Sequence, residues 1–232
     1  MEDPRLALGE ALAAAADTLR HHRDLGLTEI ACQMTSSRDP GAELAAQERA
    51  LQGCPRCKLS KSRSTVVFGS GNPRARFVVI GEGPGEEEDK QGKPFVGRAG
   101  QLLTKMLASV KFDRERDCYI CNVVKCRPER NRNPEPDEVA ACEPFLMRQI
   151  DLVQPRAIVA LGTFAVQALL KVKTPISRLR GNWHEVRGVK LMPTFHPAYL
   201  LRSPGEKRLV WQDIQEVMKL LGIEIPVRGG AR

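Results

Sequence analysis

The sequence predicts an α/β protein, a three-layer α/β/α sandwich around a central, mainly parallel four-stranded sheet. Three observations carry this. Short apolar runs at 77–81, 118–124, 157–161 and 190–194 alternate with helical patterns at 98–109, 136–152 and 163–170, and a last helix spans about 206–221. Runs such as Ala157-Ile158-Val159-Ala160-Leu161 have no polar face, as strands covered on both sides require. The polar residues of interest fall where the runs end: Glu82 after the first, Asn122 late in the second, His196 after the fourth. In parallel sheets, ligands sit beyond the carboxyl ends of the strands.

The chain has 232 residues, enough for one well-buried domain of about 180 residues and an appendage. Residues 6–19 are Ala-rich with apolar positions at helical spacing, and 20–42 have the composition of a linker. Glu43 to Gln52 reads as a short helix leading into Cys54. The expected organisation is an N-terminal extension over 1–50 and a main domain over 51–232. No apolar stretch approaches the roughly 20 residues that span a bilayer. The acidic start, Met1-Glu2-Asp3-Pro4, is unlike a secretory signal. The expectation is a cytoplasmic monomer with no membrane partner.

Charge is unevenly placed. Residues 1–50 carry 5 basic and 9 acidic groups, and residues 51–232 carry 31 basic and 19 acidic ones, for a net charge of +8. A basic body suits a polyanionic partner, most simply nucleic acid.

The first strand ends in Gly81-Glu82-Gly83-Pro84-Gly85-Glu86-Glu87-Glu88-Asp89 and closes with Gly92-Lys93-Pro94-Phe95-Val96-Gly97-Arg98. Glycines let a backbone approach a ligand closely, and Pro84 stiffens the turn. Adjacent carboxylates repel, so a purely structural turn gains little from them. The expectation is a ligand-binding loop; the plainer reading is an acidic, solvated turn.

Seven cysteines in a chain with no secretory signal point to metal or cluster ligation rather than disulfides. Cys54-Pro55-Arg56-Cys57 is a C-x-x-C knuckle, and Cys126 and Cys142 are the best candidates to complete a four-thiol set. Zinc and an iron–sulfur cluster both suit such a set. Cys118 and Cys121 repeat the spacing on a strand, where their side chains point to opposite faces. His21-His22 falls in the linker and reads as incidental rather than metal-binding, and Cys32 lies in the same linker.

The second notable segment is Thr194-Phe195-His196-Pro197-Ala198-Tyr199-Leu200-Leu201-Arg202-Ser203-Pro204. Pro197 holds His196 in extended or turn geometry. Tyr199, Leu200 and Leu201 form either a packed first helical turn or a wedge that enters a base stack, with Arg202 on phosphate.

Five ordered blocks of this sequence resemble family 4 uracil-DNA glycosylases. They are Gly81 to Asp89 with Gly92 to Leu103, Asn122-Val123-Val124-Lys125-Cys126-Arg127-Pro128, Leu161-Gly162, Ser177-Arg178-Leu179-Arg180-Gly181, and His196 to Leu201. The match runs from about Cys54 to Leu221. Gly83 departs from it, because many relatives carry Ala there. A sister group cross-links to abasic DNA through a histidine in an inserted loop. This chain has no histidine between His22 and His184, which argues against that variant.

The resemblance implies excision of uracil from single- or double-stranded DNA in base excision repair, and a [4Fe-4S] cluster on Cys54, Cys57, Cys126 and Cys142. It implies that Phe95 stacks on a flipped base, that Asn122 reads the uracil edge, and that the backbone at Gly81 and Gly83 admits the base. His196 would donate to uracil O2, and Glu82 or Glu88 would position water. Arg127, Arg130 and Arg132 would meet phosphates. The rival readings are a same-fold glycosylase for another damaged base, a non-catalytic, metal-stabilised nucleic-acid-binding module, and an interaction scaffold whose acidic N-terminal 50 residues bind a partner.

Overall fold

The computed structural model describes residues 39–225 together with Ala16. The expected helix at 6–19, the linker up to residue 38, His21-His22 and Cys32 lie outside the described residues, Ala16 excepted. Residues 39–225 fall in one compact unit.

That unit includes the first helix, α1 (Pro40–Leu51), which begins upstream of the expected position and of the expected domain boundary. Asp39 accepts from the N–H groups of Gly41 and Ala42, and Pro40 occupies the first turn, where its missing N–H costs nothing. Leu44 and Leu51 bury themselves in the same core as Leu146 and Ile150.

The sheet has six strands rather than four. They are β1 (Ser70–Gly71), β2 (Phe77–Gly81), β3 (Cys118–Asn122), β4 (Ala157–Leu161), β5 (His184–Val186) and β6 (Val189–Thr194), in the order β1-β3-β2-β4-β6-β5. The four expected strands are its parallel centre. The two additional ones are antiparallel edges. β1 is too short for periodicity to register. β5 joins β6 through Arg187-Gly188, both at positive φ (52° and 78°), a tight hairpin turn built without the usual Asn-Gly signal.

The strands alternate faces with period two. Val78, Ile80, Cys121, Ile158 and Leu191 face one core, with Leu146 and Ile150 of α4 (Pro136–Val153) and Val166 of α5 (Gly162–Leu170). Phe77, Val79, Cys118, Ile120 and Val159 face the other. That side is covered by α3 (Arg98–Ser109), through Leu103 and Leu107, and α8 (Lys207–Leu221), through Val217 and Leu221. The three layers are those expected, and Cys118 and Cys121 do point to opposite faces.

Short helices α2 (Glu86–Gln91), α6 (Ile176–Leu179) and α7 (Pro197–Arg202) complete the unit. β2 pairs with β3 on one side and β4 on the other, so the chain leaves the sheet centre in both directions. This is the switch point at which a crevice opens beyond the carboxyl ends. Gly81 lies opposite Asn122 in register at that edge. No helix among the described residues is long and apolar enough to cross a membrane.

Candidate active site

A cavity at the switch point is lined by Glu82, Gly83, Glu88, Phe95, Asn122 and His196, together with Pro128 and Arg132 on one rim and Tyr199 and Arg202 on the other. Three strand ends therefore bring together what the sequence placed at those ends.

Asn122 closes β3 and is 1 % exposed. Its Oδ1 is buried with no hydrogen-bond partner. A buried acceptor left unpaired costs about 1–3 kcal/mol, so such an atom calls for a ligand. Gly81 makes the arrangement possible: a Cβ there would stand 2.5 Å from both Asn122 Oδ1 and Phe95 Cζ.

Phe95 stands at φ 53°, an unusual place for an aromatic residue, and is held there by its neighbours. Arg114 donates from Nη1 to the Phe95 carbonyl at 2.6 Å and from Nη2 to the Pro94 carbonyl at 2.7 Å. Gly100 lies directly beneath, and a Cβ on it would meet the Phe95 backbone at 2.0 Å. The Phe95 ring lies 5.6 Å from that of His196, tilted by 35°.

His196 is the N-cap of α7, with ψ 139°, the extended geometry that Pro197 imposes. Its Nδ1 accepts from the backbone N–H of Ala198 at 3.1 Å. Burial lowers its pKa to about 4, with the Glu88 carboxylate acting against that shift and Arg202 adding to it. The ring is therefore neutral near pH 7, with its proton on Nε2.

The carboxylates separate into distinct roles, and most of them are structural. They begin α2, where the helix N-terminus favours negative charge. Glu86 pairs with Lys90 at 2.7 Å and faces Arg127 at 3.6 Å. Asp89 is buried and accepts from the N–H groups of Ser64 and Thr65. Glu88 accepts from Val96 and Gly97 N–H, each at 2.8 Å, and from Gly85 N–H at 3.2 Å. The expectation that a structural turn gains little from such a cluster is thus corrected for these groups. Glu82 differs from them. It is half-buried in the cavity wall, its carboxylate has no hydrogen-bond partner among the described residues, and burial raises its pKa above the ordinary value of 4.5.

At the mouth, Leu200 is fully buried against the body, while Tyr199 is 37 % and Leu201 41 % exposed. The segment is the helix α7, and Leu200 sits on its inward face, so the expected DNA contact at Leu200 is corrected to a core position. Of the three expected phosphate ligands, Arg132 is held by the buried Glu138 in a two-pronged pair at 2.6 and 2.8 Å. Arg127 donates to Asn131 Oδ1 at 2.8 Å. Arg130 and Arg202 are exposed.

Away from this cavity, Cys54, Cys57, Cys126 and Cys142 line a second one. Arg63 donates to Cys126 Sγ at 3.3 Å and to the Cys54 carbonyl at 2.9 Å. The Lys125 N–H donates to Cys142 Sγ at 3.3 Å. Burial pushes the Cys126 thiol up to about 11, with Arg63 acting against that shift. Thiolates are stable there only when a cation holds them. Four cysteines thus line one small cavity, with N–H donors on two of their sulfurs, a donor set compatible with a thiolate-ligated centre, although no group of three or more His, Cys, Asp or Glu among the described residues stands close enough to hold a single metal ion.

Sequence reasoning missed Gly100, Arg114 and Lys125. Gly100 lies within the block from Gly92 to Leu103 but was given no role there, and Arg114 carries no local signal, because it holds the Phe95 turn from elsewhere in the chain. Lys125 does carry one: it is a charged residue that continues the apolar run of β3.

A pocket of this kind offers an aromatic face, an amide that discriminates donor from acceptor, a neutral imidazole N–H and a carboxylate, all beside a basic rim. It suits a planar heterocycle presented by nucleic acid. Residues 68–215 match the model of the Uracil DNA glycosylase superfamily, and the chain belongs to that superfamily. More particularly, it is 49 % identical over 177 residues to a Type-4 uracil-DNA glycosylase of Thermotoga maritima, covering 74 % of this chain and 91 % of the relative. It is also 42 % identical to a Type-4 uracil-DNA glycosylase of Archaeoglobus fulgidus, covering 77 % of this chain and 93 % of that one. A third, from Sulfurisphaera tokodaii, is 41 % identical, covering 72 % and 80 %.

Proposed function

We propose that this protein excises uracil from DNA, hydrolysing the bond between uracil N1 and the deoxyribose C1′ to leave an abasic site for base excision repair. The observation that carries this reading is the unpaired, buried Oδ1 of Asn122 in a cavity walled by Phe95 and His196. A uracil edge supplies N3–H to that oxygen and takes the Asn122 N–H at O4. Cytosine presents an acceptor at N3 and a donor at C4, which leaves buried polar atoms unpaired and rejects it.

The base is stacked in DNA and must be flipped to reach the cavity. Exposed Leu201 and Tyr199 enter the gap it leaves, and Arg130 and Arg202 take adjacent phosphates. As the C1′–N1 bond lengthens, the electron pair moves onto the uracil ring and O2 gains charge. His196 Nε2–H donates to that oxygen. The neutral ring needs no proton transfer to do so, and the Ala198 N–H on Nδ1 keeps the ring proton on Nε2. Glu82, in its ionised form, faces the cationic sugar and orients the water that adds to C1′. Glu88 is a brace for the Val96–Gly97 turn, because it already accepts from three backbone N–H groups. No lysine lines the cavity, so the expected chemistry is monofunctional hydrolysis rather than an imine with the sugar.

Cys54, Cys57, Cys126 and Cys142 would hold a [4Fe-4S] cluster. Bound there, it supplies a covalent cross-link between the segment after α1 and the loop after β3. The reaction at the base runs through the chain's own residues.

The test is one assay. Single-stranded and duplex DNA carrying one uracil is incubated with the protein and treated with alkali, alongside DNA carrying cytosine, thymine or hypoxanthine at the same place. Cleavage at uracil alone is expected. No cleavage at uracil, or an adduct trapped by borohydride, overturns the reading.

A further inference from the structure

Lys125 is 0 % exposed, yet it carries an ammonium group. Its Nζ donates to the Asn122 carbonyl at 2.7 Å and to Gln149 Oε1 at 2.5 Å. Gln149 is locked in that orientation, because its Nε2 donates to the Phe68 carbonyl at 3.0 Å and to the Tyr119 hydroxyl at 3.2 Å. Both acceptors of the ammonium are neutral. No carboxylate pairs with it among the described residues. An isolated buried cation is costly, and folded proteins keep one only where a counter-charge lies close.

The same residue faces the cysteine site. Lys125 lines the cavity of Cys54, Cys57, Cys126 and Cys142, and its backbone N–H donates to Cys142 Sγ at 3.3 Å. A metal centre ligated by four thiolates brings negative charge to that cavity. The base-reading residue lies three positions upstream in the chain, with its carbonyl in the grip of the Lys125 side chain.

We propose that Lys125 is a positioning residue which takes the thiolate-held centre as its counter-charge and, through the Asn122 carbonyl, sets the amide that reads the base. One side chain then links the two sites. This rests on the reading of Asn122 and of the cysteine set given above.

The experiment compares the iron-loaded wild-type protein with Lys125→Met and Lys125→Arg, each checked for fold by circular dichroism. Two quantities are read: the rate at which a chelator removes iron, and inhibition by free uracil. Removing a group that supports metal ligands costs about 10–100-fold in metal affinity. Lys125→Met is expected to lose iron faster by a factor of that order. It is also expected to bind uracil about tenfold more weakly, the worth of one charge-assisted hydrogen bond. Lys125→Arg keeps the charge but not the ammonium geometry, so iron retention near wild type with weakened uracil inhibition is expected. Because it retains the charge, it carries the test if the Met variant does not fold. Lys125→Met that matches wild type in both quantities overturns the inference, as does Lys125→Arg that sheds iron readily. A wild-type protein that does not cleave uracil DNA overturns the proposed activity and this inference together, whereas wild-type behaviour in the variants overturns this inference alone.

Discussion

His196 and Ala198 share a hydrogen bond in which the backbone N–H of Ala198 donates to Nδ1 at 3.1 Å. That bond fixes the tautomer. With the acceptor nitrogen occupied and the pKa lowered to about 4 by burial, Nε2 carries the only ring proton, on a side chain that lines the cavity. His196→Ala should lower kcat by about 10²–10³, the usual cost of one preorganised donor at a developing oxyanion. KM should change little. Single-turnover rates on uracil DNA check this, and an undiminished rate would sink the role.

The same residue makes stability depend on pH. An unfolded histidine titrates near 6.5, and the folded one near 4. Above the higher value both states hold a neutral ring, and the group contributes nothing. As pH falls from 6.5 towards 4, the unfolded chain takes up a proton that the folded one refuses, so stability is lost. His196→Asn should therefore lose less stability than wild type between about pH 7 and about pH 5. Urea midpoints at the two pH values provide the measurement, and equal losses would contradict it.

Glu82 and Glu88 should separate cleanly. Glu82→Gln is expected to keep its melting temperature and lose rate, and to lose the acid limb of the pH–rate profile that the ionised carboxylate imposes. Glu88→Ala orphans the N–H groups of Val96 and Gly97. It should cost about 1–3 kcal/mol per buried donor left unpaired, read as a lower urea midpoint. If Glu82→Gln proved the less stable and more active of the two, the assignment would be reversed.

The sequence distinguished these carboxylates poorly, and the reason is physical. Strand ends are set by apolar runs, so Glu82, Asn122 and His196 were legible as neighbours in the fold before any coordinates. The donors to Glu88 are N–H groups eight and nine residues away, on a turn that no periodicity reports. Leu200 and Leu201 were likewise inseparable in the sequence, because a six-residue helix after a proline looks like a loop. The edge strand β5 escaped notice because Arg187-Gly188 makes a hairpin turn with an unusual first residue.

Those two leucines give a direct contrast. Leu200→Ala empties a core position and should cost about 2–5 kcal/mol. Leu201→Ala should leave the melting temperature within the range of ordinary surface changes. It should slow excision from duplex DNA more than from single strands, where no stack resists flipping. Calorimetry and strand-specific rates test the pair.

Arg130→Ala and Arg202→Ala should each weaken DNA binding across sequences and reduce the slope of log affinity against log salt by about 1. Binding isotherms at several salt concentrations measure it. Unchanged slopes in both variants would remove these residues from the interface.

Gly100→Ala should be costly for its size. The added methyl would stand 2.0 Å from the Phe95 backbone, so the aromatic wall must shift. A loss of about 1–3 kcal/mol is expected, together with weaker inhibition by uracil.

The clamp of Arg114 on the carbonyls of Pro94 and Phe95 bears on how such a site can be moved or copied. Arg114 belongs to the connection into β3, outside the glycine-rich segment that carries the sequence signature. Grafting residues 81–98 alone onto another parallel-sheet scaffold would transfer the signature without the force that bends Phe95 into place. The smallest portable unit is the whole crossover from β2 to the end of β3, and redesign of base preference should treat that stretch as one indivisible part.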